Sequence, residues 1–106
     1  MPFLRVGIVG FAGESFPGFV HCAFADASGK EHTFIEKIPV VTTLDLWSDS
    51  TYPQPGMAPC TGVETLQDGS HRSLALVSID VKHSMESPYD SAQFIVLESQ
   101  LSSDWT

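Results

Sequence analysis

Basic residues are scarce in this 106-residue chain, which carries 5 lysines and arginines against 13 aspartates and glutamates, a formal net charge of −8. The five are scattered: Arg5, Lys30, Lys37, Arg72 and Lys82. Nucleic acids and anionic membranes need a basic footprint that displaces counterions, so this composition argues against both. The acidic balance either keeps the protein dissolved or favours a basic protein partner, drawn in by long-range attraction.

Cysteine is equally rare, and the histidines are dispersed. Cys22 and Cys60 are too few for a disulfide framework, and a bond between them is neither required nor excluded. No Cys-x-x-Cys or His-x-x-x-His spacing occurs, which is the pattern that brings metal ligands together. We predict that the chain has no metal site.

The chain also lacks a dinucleotide fingerprint. Gly7, Gly10 and Gly13 are spaced every three residues, and Pro17 and Gly18 stand where the fingerprint requires a helix. We predict no cofactor, and we expect these glycines to serve twist or bulges in a strand.

A long apolar run is missing as well. The N-terminal stretch MPFLRVGIVGFAG is too short to span a bilayer. It also lacks the basic start and small-residue cleavage site of a secretory leader. We interpret it as the first strand and expect a cytoplasmic protein with no membrane attachment.

Short strand-like segments separated by glycine and proline turns dominate the remaining sequence. We predict one all-β domain over 1–106, with six strands in a small barrel or sandwich, the barrel being preferred. Two hairpin turns are expected, at 26–32 with Gly29 at positive φ, and at 67–71 around Asp68-Gly69. The strand over 72–83 needs either a bulge near Leu76 or burial on both faces. The tail 102–106 should fray unless Trp105 docks.

The segment TTLDLWSDSTYPQPGM, residues 42–57, interrupts the strands. Thr42 and Asp45 have the spacing of a helix start, so we predict a helix of one or two turns between strands 3 and 4. Leu44 and Leu46 should pack inward, with the loop beyond them exposed. For Trp47 we expect a core position, with an interface anchor as the alternative. The predicted partner-binding residues are acidic or aromatic: Asp45, Trp47, Asp49, Tyr52 and Tyr89.

Glu36 is out of place in its predicted strand, because it shares a face with Phe34 and Ile38. Either it sits at a bulge or edge that re-aims the side chain, or it is a partly buried carboxylate that holds a cation or the backbone. We treat Glu36 as a structural or site carboxylate.

No catalytic residue is assigned. The serines lack the G-x-S-x-G elbow. The enzymatic alternative is a small hydrolase that uses Cys60, or the region of His21, with a cysteine and a histidine acting as a pair.

The segments FIEKIPVVT and LDLWSDSTYPQPG resemble a group of short bacterial hypothetical proteins, and this resemblance implies no activity. The strand layout also resembles the small barrels of translation elongation factors, which implies a housekeeping alternative by architecture alone. The leading hypothesis is an acidic, non-enzymatic protein-binding module, of which an immunity-type inhibitor of a basic toxin is one form.

Overall fold

The computed structural model describes residues 2–103, which form two antiparallel sheets. The first has strand order β3-β2-β1-β4, with β8 paired to β1, and the second has order β5-β6-β7. The strands are β1 (Phe3–Gly13), β2 (Phe19–Ala25), β3 (Glu31–Lys37), β4 (Gln54–Pro59), β5 (Thr61–Gln67), β6 (Ser73–Val81), β7 (Asp90–Leu97) and β8 (Leu101–Ser102). The predicted all-β class is confirmed. The pairings within 2–103 do not show a closed barrel, and the expectation for Trp105 lies outside the described residues.

The strand count is eight in the described part of the chain, so the prediction of six was wrong. The segment around Cys60 contains two strands, β4 and β5, which belong to different sheets. Pro59 ends β4, and the Cys60 amide leaves the ladder to donate to the carbonyl of Pro2 at 3.1 Å. The additional β8 is only two residues long, too short to leave a pattern in the sequence.

Glycines in β1 lie at its irregularities. The register of β1 against β2 shifts between Ile8 and Gly10 and again between Phe11 and Gly13. Each shift places an extra residue on β1, which bends the strand and increases its twist. The expected role holds for Gly10 and Gly13, which border the two shifts, but not for Gly7, which pairs regularly with Ala23. The strand's continuation past the second shift leads directly into the loop of residues 14–18.

Both predicted hairpin turns are present, and each is built on an aspartate. Oδ1 of Asp26 accepts the backbone N–H groups of Ser28 and Lys30, and Oδ1 of Asp68 accepts those of Ser70 and Arg72. Such local bonds satisfy backbone donors that a turn leaves without ladder partners.

Left-handed backbone appears once in each of these turns. Gly29 has φ of 88°, as expected, whereas in the second turn His71 rather than Gly69 takes the positive φ, 61°.

One apolar core joins the sheets. Its fully buried side chains come from both, for example Leu4, Ile8, Val20, Val77 and Val96. The sheets also meet through the backbone, because the Ile35 amide on β3 donates to the carbonyl of Lys82 just after β6.

β6 is buried along one face, and of the two expected alternatives burial on both faces holds only at Leu74, because Asp80 on the second face is exposed. Val77 and Ile79 face the shared core, while Leu74 on the other face is also buried. The register shift lies on the neighbouring β5, between Gly62 and Glu64, opposite Leu76 and Val77.

The helix lies between β3 and β4 as predicted, but it is α1 (Ile38–Val41), not a helix beginning at Thr42. Pro39 occupies its first turn, where the missing N–H costs nothing. Thr42 is extended, and its Oγ1 accepts the Leu44 N–H, a local bond that competes with helix formation. Residues 42–53 therefore form an irregular loop, which positions the site described next.

Candidate functional site

A groove of about 520 Å³ opens between the loop of residues 14–18 and the loop of residues 42–53. We call it the aromatic groove. The residues that line it include Phe11, Glu14, Phe16, Ile38, Asp45 and Trp47. Its volume lies in the range of ligand sites, about 300–1,000 Å³.

One wall of the aromatic groove carries Trp47, whose backbone is held by hydrogen bonds and whose side chain is exposed. The Trp47 N–H donates to Oγ of Ser50 at 2.8 Å, and the Trp47 carbonyl accepts the Tyr52 hydroxyl at 2.7 Å. Leu46 beside it is buried in the core, whereas the indole of Trp47 is 66 % exposed. The loop thus holds an aromatic ring outward at little further ordering cost.

The opposite wall carries Phe16, which is 97 % exposed. This loop is attached to α1 because the Ile38 N–H donates to the carbonyl of Gly18 at 3.0 Å. Gly18 has φ of 93°, and a Cβ there would come within 2.9 Å of Ile38 Cδ1. Only glycine fits both conditions, so the sequence Phe16-Pro17-Gly18 keeps this wall against the helix.

The charges that line the aromatic groove are of one sign. Glu14 stands in one loop and Asp45 in the other, both exposed, and none of the described residues that line the groove is a lysine or arginine. Exposed aromatic rings attract cations through their negative faces, and carboxylates accept hydrogen bonds from cationic donors. In chemical terms, the groove is suited to a cationic group.

A second polar cluster lies where β3 meets the loop before β7. Oε1 of Glu36 accepts the Tyr89 hydroxyl and the Lys37 backbone N–H, at 2.7 and 2.8 Å. Burial, with the hydrogen bond to Glu36 and its negative charge, raises the pKa of the Tyr89 phenol above its usual value. Lys82, also buried, donates from Nζ to the carbonyls of Met85 and Ser87. These hydrogen bonds compensate the buried charges of Glu36 and Lys82. The cluster joins the two sheets, because Glu36 lies on β3 and Lys82 directly follows β6.

The structure brings only part of the predicted partner-binding set together. Asp45 and Trp47 line the aromatic groove, and Asp49 is exposed in the same loop. Tyr52 is half-buried, and its hydroxyl donates a hydrogen bond to the Trp47 carbonyl. Tyr89 belongs to the Glu36 cluster. The prediction that Leu44, Leu46 and Trp47 all pack inward holds for Leu46 alone.

Sequence reasoning missed Phe16 and Glu14. The signal was a large apolar residue inside the polar turn GESFPG, where it has no strand face to bury it. Pro17 and Gly18 were used only to exclude a dinucleotide-binding helix, so the residues before them received no assignment.

The two thiols are buried within the fold. Cys22 and Cys60 are free and buried. Burial, and to a lesser degree the charge of Glu36, raises the pKa of Cys22 to about 12, and burial raises that of Cys60. Since the thiolate is the nucleophile, neither group is activated as the hydrolase alternative requires. The Cys60 thiol points to the carbonyl of Pro2 at 3.6 Å.

Within residues 2–103, no three side chains of histidine, cysteine, aspartate or glutamate lie close enough together to hold a metal ion. No helix in the described part of the chain is long and apolar enough to cross a membrane. Comparison with known proteins finds no match among protein-family models, curated proteins or solved structures.

Proposed function

We propose that this protein is a non-enzymatic binding module that docks a basic protein partner at the aromatic groove. The observation that carries the proposal is the pair of exposed rings, Phe16 and Trp47, facing a groove whose charged lining residues are both acidic. Exposed aromatic side chains at a concave site are the usual anchors of protein interfaces.

Charge complementarity supports a basic partner over an acidic or neutral one. The net charge of −8 would repel an acidic protein, and Glu14 and Asp45 add a local attraction for cations. An immunity-type inhibitor that neutralises a basic toxin is one form of this proposal, because such an inhibitor needs only tight, charge-steered docking.

The test compares two double variants with the same change in charge. Glu14→Gln with Asp45→Asn removes the carboxylates of the aromatic groove. Glu64→Gln with Asp80→Asn removes two exposed carboxylates of β5 and β6 that do not line it. Each protein is immobilised and exposed to lysate of the source cells, and retained proteins are identified.

We expect the wild-type chain and the control variant to retain the same basic protein, and the groove variant to lose it. With that protein purified, its association rate should fall steeply with salt, because exposed charges are screened beyond about 8–10 Å at physiological ionic strength. Retention that is equal for the two variants, an acidic retained protein or a salt-independent rate would each contradict the proposal.

A further inference from the structure

We propose that the aromatic groove binds an arginine side chain of the partner, with the guanidinium lying against the indole of Trp47 and Glu14 and Asp45 as its hydrogen-bond acceptors. This inference rests on the proposed function and names the group that the groove recognises. Two features argue for arginine over lysine: the exposure of the rings and the positions of the carboxylates.

The exposure of the rings favours a weakly hydrated cation. Trp47 is 66 % and Phe16 97 % exposed, so a bound cation remains in contact with water. A lysine ammonium is a strongly hydrated point charge that gains little from such a site. A guanidinium is planar and weakly hydrated, and it stacks on aromatic faces.

The carboxylates stand on different loops, Glu14 before Phe16 and Asp45 before Leu46. A group that satisfies both must donate in more than one direction. Arginine presents five N–H donors in a rigid fork, which suits two separate acceptors.

The groove is also prepared for such a ligand. Ser50 and Tyr52 hold the backbone of Trp47, and Gly18 holds the Phe16 loop on α1. Binding therefore requires little ordering of the protein, which is a cost that weakens most contacts with mobile loops.

The experiment uses three peptides, each with lysine at both ends, glycine next to each lysine, and arginine, lysine or citrulline at the centre. The end charges are constant, and citrulline is the neutral isostere of arginine. The protein carries Trp105→Phe, which leaves Trp47 as the single tryptophan. Binding is followed by Trp47 fluorescence and by calorimetry.

We expect the arginine peptide to bind about threefold more tightly than the lysine peptide, the gain of one exposed cation–π contact, and to shift the Trp47 emission. The citrulline peptide should bind more weakly than both. Trp47→Leu, which keeps an apolar side chain without the ring, should abolish the preference for arginine. Val63→Ala, a change at an exposed apolar residue of β5, should keep it.

Equal affinity for arginine and lysine, with weaker binding of citrulline, would overturn the arginine assignment and leave the proposed function standing. Equal affinity for all three, or no binding, would also overturn it. The lysate comparison with the charge-matched variants then decides separately whether a basic protein docks at the groove. A preference for arginine that survives Trp47→Leu would show that the indole is not the recognition surface.

Discussion

The hydroxyl of Tyr89 donates a 2.7 Å hydrogen bond to Oε1 of Glu36, across 53 residues of sequence. Glu36 faces the core from β3, next to Val20 on β2 in the antiparallel register. A carboxylate placed among apolar side chains is tolerated only when hydrogen bonds compensate its lost hydration. Tyr89 supplies one of them, so the loop before β7 is attached to the first sheet.

Glu36→Ala should therefore lower the free energy of unfolding by about 1–3 kcal/mol, because it leaves the donors without their acceptor. Glu36→Gln should cost less, since the amide oxygen can still accept. Urea denaturation measures both. The control is Glu31→Ala, an exposed residue of the same strand, which should change stability by less than about 0.5 kcal/mol. Near-zero losses for both Glu36 variants would mean that the carboxylate is unimportant to the fold.

Acid should destabilise the protein through the two turn aspartates. Hydrogen bonds from the Ser28 hydroxyl and from His32 lower the pKa of Asp26, and the Arg72 guanidinium lowers that of Asp68. A carboxyl whose pKa is depressed by folding adds stability above its unfolded pKa, about 4, and that stability is lost as pH falls toward the folded value.

Unfolding curves measured from pH 6 down to pH 2 should show this loss in the wild-type chain. The double variant Asp26→Asn with Asp68→Asn should show a smaller decline over the same range. Asp80→Asn, at an exposed position of β6, serves as the control and should follow the wild type. If the turn variant declines as steeply as the control, the hydrogen bonds of these turns do not contribute to acid stability.

Alkaline pH should destabilise the folded protein, because Cys22 is buried as a neutral thiol. The folded pKa of this thiol is raised from 9.0 to about 12. Because folding raises this pKa, the neutral thiol contributes to the free energy of unfolding. That contribution is fully present below the unfolded pKa and is lost as the pH rises through the folded pKa. Unfolding free energy should fall above pH 9, with a contribution from Cys22 approaching about 1.4 kcal/mol per pH unit.

Cys22→Ala should make the fall in unfolding free energy between pH 9 and 10.5 less steep, while the raised pKa values of Cys60 and Tyr89 maintain part of it. The same burial should make both thiols of the folded protein react slowly with a disulfide reagent at pH 7. Rapid reaction of Cys60 in the native state would contradict this account and would revive the alternative of a thiol-dependent enzyme.

The sequence predicted those parts of the fold that depend on local patterns. Alternating residues and the turn aspartates sufficed for the all-β class and both hairpins, and the glycine spacing of β1 indicated its bulges. The change of sheet at Cys60 could not be predicted in this way. Pro59 and Gly62 are equally consistent with an interruption within one strand and with two strands that belong to different sheets. The helix was placed too late because its start was assigned from the spacing of Thr42 and Asp45, whereas Pro39 stands in its first turn.

The aromatic groove was half predicted. Asp45 and Trp47 were chosen for their chemistry, which sequence displays. Phe16 and Glu14 come from a loop about thirty residues earlier, which a tertiary contact between Gly18 and Ile38 brings to α1. Tyr52 was assigned to the surface, although its ring packs against the core and its hydroxyl holds Trp47. Such a division between the two ends of one side chain depends on tertiary structure.

Trp47 and Leu46 are neighbours with opposite environments, and paired substitutions should separate stability from binding. Leu46 is buried, so Leu46→Ala should lower the unfolding free energy by about 2–5 kcal/mol. Trp47→Ala should lower it by less than about 1 kcal/mol, because most of the indole is already in water. The same change should weaken binding of the basic partner by about 2 kcal/mol or more if the ring is an interface anchor. Urea denaturation and calorimetric titration measure the two quantities on one set of proteins. A large loss of stability in Trp47→Ala would place the indole in the core after all, and unchanged binding would remove the ring from the interface.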